Sequence, residues 1–248
     1  MSVLQKASDL IDCLGRAGEP MTLGQVRDAL DMPKSSTHRL LSELAGLGIV
    51  RRTQDGLYAL GPRLLYWGEA ASNGYDLRRI AEQPMRRLRD ELDESVHLYV
   101  RERDVRICIA AAEGRQVLRP FVELGRPLPL RVGAAGKLLL AFADEKTRQL
   151  EIERAAGEAA GSHKPIDAEQ LEKIRTERWA TSVGEREPGV SAAATTVFDG
   201  RGRVVAALCI SAPTVRLPEE RFADLRPALE TCAAEISSLL GRNTGEYA

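Results

Sequence analysis

The chain has 248 residues, 44% hydrophobic and 29% charged, with a formal net charge of −1. That much apolar material excludes wholesale disorder and suffices for one large domain or two small ones. The near-neutral balance excludes a globally basic nucleic-acid binder, so any basic surface has to be local.

The first elements read clearly. Ser2 and Gln5 form a capping-box pattern, and Leu4, Ala7, Leu10, Ile11 and Leu14 follow at helical spacing until Gly15 and Gly18. Thr22 and Gln25 repeat the pattern before a short helix carrying Leu23, Val26, Ala29 and Leu30. Pro33 suits the first turn of a third helix, because its missing N–H costs nothing there. Leu40, Leu41, Leu44 and Leu47 give that helix an apolar stripe ending at Gly48. Two short apolar runs around Gln54-Asp55-Gly56 predict a β-hairpin. Three helices and a hairpin in this order predict a winged helix-turn-helix over residues 1–62. Seven Lys/Arg side chains there face seven Asp/Glu, so pattern rather than charge carries the DNA expectation.

Residues 63–76 read as a linker helix, with Leu64, Leu65 and Trp67 available for a dimer contact. Residues 77–248 form the expected second domain. A helix over residues 76–92 contains Pro84, which should kink or split it. Alternation predicts strands around Val96-Leu98-Val100 and Val105-Ile107-Ile109, with residues 117–124 a third candidate. A tight, small-residue loop then leads into a helix over residues 133–142. Asp167 caps a further helix ending near Arg178. Strands are expected at residues 180–183, 190–198 and 204–211, the last two joined through Asp199-Gly200-Arg201-Gly202, and a final amphipathic helix at 218–240. The whole predicts an α+β protein.

Lys34, Ser35, Ser36, His38, Arg39 and Ser42 fall on or beside the third helix's polar face, suited to base edges and phosphates of double-stranded DNA. Arg51, Arg52 and Gln54 lie on the wing. Thr22 at a helix start could seat a phosphate, or simply cap. The small residues Gly133-Ala134-Ala135-Gly136 leave backbone N–H groups uncovered at a helix start, which suits an anion or merely tight packing. Lys137 after Gly136 matches a phosphate loop only in part; its first glycine and the following Ser/Thr are missing.

Enzyme readings fare badly. Only His38, His97 and His163 are present, with no HExxH, GxSxG or CxH pattern. The charged trio Glu185, Arg186 and Glu187 reads as a solvated turn. Cys13, Cys108, Cys209 and Cys232 stand far apart without a CxxC pair, so neither a metal nor a cofactor is expected. No apolar run approaches the roughly 18 residues of a membrane span, and no signal-peptide pattern is visible, so the expected location is cytoplasmic. Two alternatives stay open: a helical module used for protein contact in an enzyme or sensor subunit, and a ligand-free architectural DNA binder.

Over nearly its whole length the chain resembles the IclR family of bacterial regulators. The resemblance rests on Pro33-Lys34-Ser35-Ser36-Thr37-His38-Arg39-Leu40-Leu41, Glu94-Ser95-Val96-His97-Leu98, and Pro129-Leu130-Arg131-Val132-Gly133-Ala134-Ala135-Gly136-Lys137. It continues through Glu187-Pro188-Gly189-Val190, Val197-Phe198-Asp199, and the run from Ala206 to Pro213. It implies a GAF-like α/β effector-binding domain, control of operator binding by a small molecule (a carboxylate or amino acid), and a homodimer or dimer of dimers. It also implies an effector pocket at Val117, Pro120, Leu128, Ala134, Ala135, Gly136, Ser182, Ala192, Cys209 and Ser211. The sequence departs from the glyoxylate-responsive pattern, with Ser182 where an acid occurs, Cys209 where a serine occurs and Arg131 where histidine is common. The string from Gly184 to Val190 resembles actinobacterial members tied to amino-acid biosynthesis, such as that of leucine.

Overall fold

The computed structural model describes residues 2–73, 76–157 and 165–243. His163 lies outside them. The chain divides into two compact units, Met1–Tyr75 and Asp76–Ala248.

In the first unit, α1 (Val3–Ala17) starts at Ser2, whose hydroxyl accepts from the Gln5 N–H, and ends at Gly18 in the left-handed region. Gly15 sits inside the helix rather than ending it. α2 (Leu23–Leu30) carries the complete Thr22/Gln25 capping box. α3 (Lys34–Gly46) follows Pro33, which occupies the N-cap. Leu10, Val26 and Leu41 are fully buried at the centre of the three helices, each worth about 1.5–3 kcal/mol of burial. β1 (Val50–Arg52) and β2 (Tyr58–Leu60) form the antiparallel wing. Met21, just before α2, adds a rung to it by exchanging both backbone hydrogen bonds with Tyr58. A one-residue strand leaves no period for sequence to reveal. α4 (Arg63–Asn73), expected as a separate linker, belongs to this unit: Leu64 packs on the three-helix core and the Arg63 guanidinium donates to the Leu47 carbonyl at 3.0 Å.

The second unit is built on a six-stranded antiparallel sheet, in the order β5-β4-β3-β8-β7-β6. Its strands are β3 (Ser95–Glu102), β4 (Val105–Ala112), β5 (Pro127–Pro129), β6 (Trp179–Val183), β7 (Val190–Phe198) and β8 (Val204–Pro213). The even residues of the central strands, Val96, Leu98, Leu208 and Ile210, face α5 (Asp76–Leu92) and α9 (Phe222–Asn243). The odd ones, Tyr99, Ala207 and Cys209, face α6 (Ala134–Ala141) and α8 (Ala168–Glu177). The period-2 pleat thus separates a mainly apolar layer, where buried Ser191 and Thr195 are the polar members on β7, from the layer that carries the cavity's charged groups.

Two further expectations need correction, and one element was not anticipated. Residues 117–124 form no strand; the ladder resumes at β5, where Pro127 and Pro129, lacking N–H donors, are tolerated because β5 is an edge. Pro84 does not split α5, which runs unbroken. α7 (Glu145–Gly157) was not anticipated: its buried positions are Glu151 and Ala155, so no apolar stripe announces it.

Candidate DNA-reading and effector sites

The packing of α3 divides its faces. Thr37, Leu40, Leu41 and Leu44 are buried, while Lys34, Ser35, His38, Arg39 and Ser42 are exposed and Ser36 is half-buried. Thr37 tolerates burial because its hydroxyl donates to the Pro33 carbonyl at 3.1 Å. Arg39 lies 3.8 Å from Glu43, an exposed i,i+4 pair worth about 0.3–0.5 kcal/mol and readily exchanged for another anion. On the wing Arg51 is exposed opposite Ala59. Arg52 turns back, donating to the Gly56 carbonyl at 3.3 Å and lying 5.8 Å from the Tyr58 ring centroid. The Thr22 hydroxyl is engaged in the capping box, accepting from the Gln25 N–H at 3.2 Å and contacting Gln25 Oε1 at 2.9 Å.

In the second unit, Ala134, Ala135, Ser182, Ala192, Cys209 and Ser211 line one cavity of about 40 Å³, together with Tyr99, Arg106, Val122, Gly133, Arg186, Glu187 and Val190. The other expected positions do not join them. Val117 is 98% exposed on the loop after β4; Val122, further along the same loop, takes the inward place. Pro120 is buried elsewhere in that loop, and Leu128 is half-buried on β5. Gly136 lies within α6 for a steric reason: a β-carbon there would come within 2.2 Å of Arg106 Nη1 and 2.5 Å of the Leu130 carbonyl oxygen. Arg131 is drawn away by Glu151, a fully buried carboxylate that also accepts from Arg154.

The start of α6 is not uncovered, contrary to expectation. The Gly133 N–H donates to Glu185 Oε2 at 2.9 Å and the Ala134 N–H to Ser182 Oγ at 3.1 Å. Glu185 also receives the ammonium of buried Lys137. The turn read as solvated therefore delivers a carboxylate to the positive end of the helix.

Arg106 enters from β4. Its residue is 3% exposed, its Nη1 donates to the carbonyls of Pro129 and Val132, and its Nε has no partner among the described residues. The guanidinium lies 5.6 Å from the Tyr99 ring centroid. His97, behind Ser211, places Nδ1 3.3 Å from the serine oxygen. Burial first, and the nearby Arg186 second, lower the His97 pKa to about 4, so the ring is neutral at pH 7. Burial pushes the Cys209 thiol up to about 12 and the Tyr99 hydroxyl up as well, so neither is a nucleophile or base at neutral pH. The alternation of β3 and β4 puts Tyr99 and Arg106 on this side; an arginine in phase with Cys108 was the signal that could have marked Arg106.

Residues 3–54 match the IclR helix-turn-helix domain, and residues 69–238 match the family described as bacterial transcriptional regulator IclR, C-terminal. The chain is 30% identical over 247 residues to the HTH-type transcriptional regulator KdgR of Escherichia coli, covering 97% of this chain and 93% of that protein. It is 29% identical over 225 residues to the HTH-type transcriptional regulator KipR of Bacillus subtilis, covering 89% and 90%. A crystal structure of an IclR transcriptional regulator from Alicyclobacillus acidocaldarius superposes with a TM-score of 0.79 at 26% identity, over 96% and 98% of the two chains.

Proposed function

The chain belongs to the IclR family of bacterial transcriptional regulators, and from that premise we propose that it binds a specific operator under the control of a small carboxylate effector. It is a DNA-binding regulator and not an enzyme. In this reading α3 enters the major groove with Lys34, Ser35, Ser36, His38 and Arg39, and Arg51 and Arg52 hold the backbone from the wing. Thr22 brings the start of α2 to a phosphate through the remaining helix N–H groups, since its hydroxyl is engaged.

The observation that carries the effector reading is the composition of the cavity. Its wall combines apolar Val122, Ala134, Ala135 and Ala192 with the hydroxyls of Ser182 and Ser211. Two arginines, Arg106 and Arg186, face one carboxylate, Glu187, in the same lining. A surplus positive charge in an otherwise uncharged wall of small apolar and hydroxyl side chains favours one carboxylate on a modest apolar body, such as a branched amino acid or keto acid. That chemistry agrees with the resemblance of residues 184–190 to regulators of amino-acid biosynthesis.

One winged helix covers a single half-site, so specificity calls for at least a dimer. Leu65 and Tyr66 on α4 are strongly exposed, 78% and 71%, and suit that contact; Leu64 is committed to the core. Among the described residues no helix is long and apolar enough to cross a membrane. A regulator of this kind acts beside the chromosome, in the cytoplasm.

The test is a melting screen of the full chain against amino acids, keto acids and aromatic acids. A ligand at about 100 times its Kd stabilises by roughly 2.7 kcal/mol, a readily measured shift. The reading expects a shift with a monocarboxylate and none with its neutral amide. Equal shifts for acid and amide, or none for any acid, would sink it.

A further inference from the structure

Building on the reading of this cavity as a carboxylate site, we propose that Arg106 is the counter-charge of the bound carboxylate and that Glu185 holds the same seat until the carboxylate arrives. Arg106 is a buried cation without an ion pair among the described residues; its Nη1 donates only to carbonyls, and no group among the described residues accepts from its Nε–H. Buried charges are ordinarily paired, so an unmatched guanidinium marks a place where an anion is missing.

Its position sharpens the argument. A β-carbon on Gly136 would meet Arg106 Nη1, and one on Gly133 would lie 3.4 Å from Nη2. The guanidinium therefore rests against the first turn of α6, where the helix already presents its positive end. Lys137 adds a third positive group. Among the described residues Glu185 is the single carboxylate bonded to this cluster, spanning the Gly133 N–H and the Lys137 ammonium.

The cavity beside this cluster is small, about 40 Å³. Glu185 stands at the most favourable seat for an anion, on the Gly133 N–H and the Lys137 ammonium, so a carboxylate that takes this seat displaces it. It sits between Gly184 and Gly189, both at positive φ, +66° and +80°, in the turn joining β6 to β7. As it moves away, the Gly133 N–H and Lys137 pass to the incoming carboxylate beside Arg106. The seat takes a monocarboxylate; a second carboxylate would meet Glu187 in the same wall.

The test is calorimetry on the full chain with two probe acids, 4-methyl-2-oxopentanoate and benzoate, and with the neutral 4-methylpentanamide and benzamide. Glu185→Gln removes the internal competitor and leaves the cations, so at least one acid should bind tenfold tighter or better, with the amides unchanged within twofold. Arg106→Gln should weaken the same acid at least tenfold; if that variant does not fold, the Glu185→Gln comparison decides alone. Acid binding that is unchanged or weaker in Glu185→Gln overturns the displacement and leaves the carboxylate reading standing. No acid binding by wild type or Glu185→Gln overturns both.

Discussion

Burial keeps the His97 ring neutral, with its pKa lowered to about 4 from 6.5, and the consequence is a pH dependence of stability. The unfolded chain binds a proton here that the folded one refuses, so the contribution is complete above 6.5 and lost as pH falls toward 4. Below 4 both states are protonated and nothing more is lost. Between pH 7 and 4.5 the loss is about 2 kcal/mol. Urea unfolding at the two pH values should show it, and His97→Asn should remove most of the difference; an unchanged difference would mean that other groups carry it. Gly136 makes a second residue-scale prediction. Gly136→Ala forces a β-carbon into Arg106 and the Leu130 carbonyl, so it should destabilise by about 1–3 kcal/mol although alanine is the better helix former. A melting temperature equal to or above wild type contradicts that contact. At this scale the sequence was only partly legible. Six pocket positions converge, yet Val117 points to solvent and Gly136 serves packing, because the loop after β4 has no period to say which residue turns inward. Glu185 was misread and Arg106 missed because Glu185 meets the start of α6 about 50 positions away, and Arg106 the carbonyls of Pro129 and Val132 about 25 away, contacts that spacing does not record.

Among the elements, α3 and the wing carry the DNA predictions. Arg39→Ala should cost about 1–3 kcal/mol in operator affinity and relax one base position. Arg52→Ala should weaken all duplexes about equally and lower the salt slope by about one. Binding titrations at several salt concentrations separate the two; an Arg39→Ala protein indistinguishable from wild type on operator and random DNA would remove α3 from the groove. These elements were readable because capping boxes, a terminal proline and an Asp-Gly turn are local chemistry. α7 was not readable, because its buried side chain is the Glu151 carboxylate, matched by Arg131 and Arg154. β5 was misplaced because apolar residues 117–124 imitate a strand more closely than Pro127-Leu128-Pro129 does.

For the whole molecule, the DNA-reading unit and the effector unit have meaning together only if occupancy of one biases the other. Assembly is one requirement. Sedimentation at micromolar concentration should give a dimer or larger species, and Leu65→Glu combined with Tyr66→Glu should shift it toward monomer; a wild-type monomer with and without DNA contradicts this. Coupling is the central claim, and fluorescence anisotropy tests it most directly. A duplex selected from a random pool is titrated with the full chain, with and without each monocarboxylate that raises the melting temperature, for wild type and Ala135→Trp. The account predicts that at least one acid changes the wild-type Kd by about 5- to 150-fold, while Ala135→Trp, its cavity filled, binds the free duplex as wild type does and no longer responds. An acid that moves both proteins equally, or none that moves wild type, contradicts it.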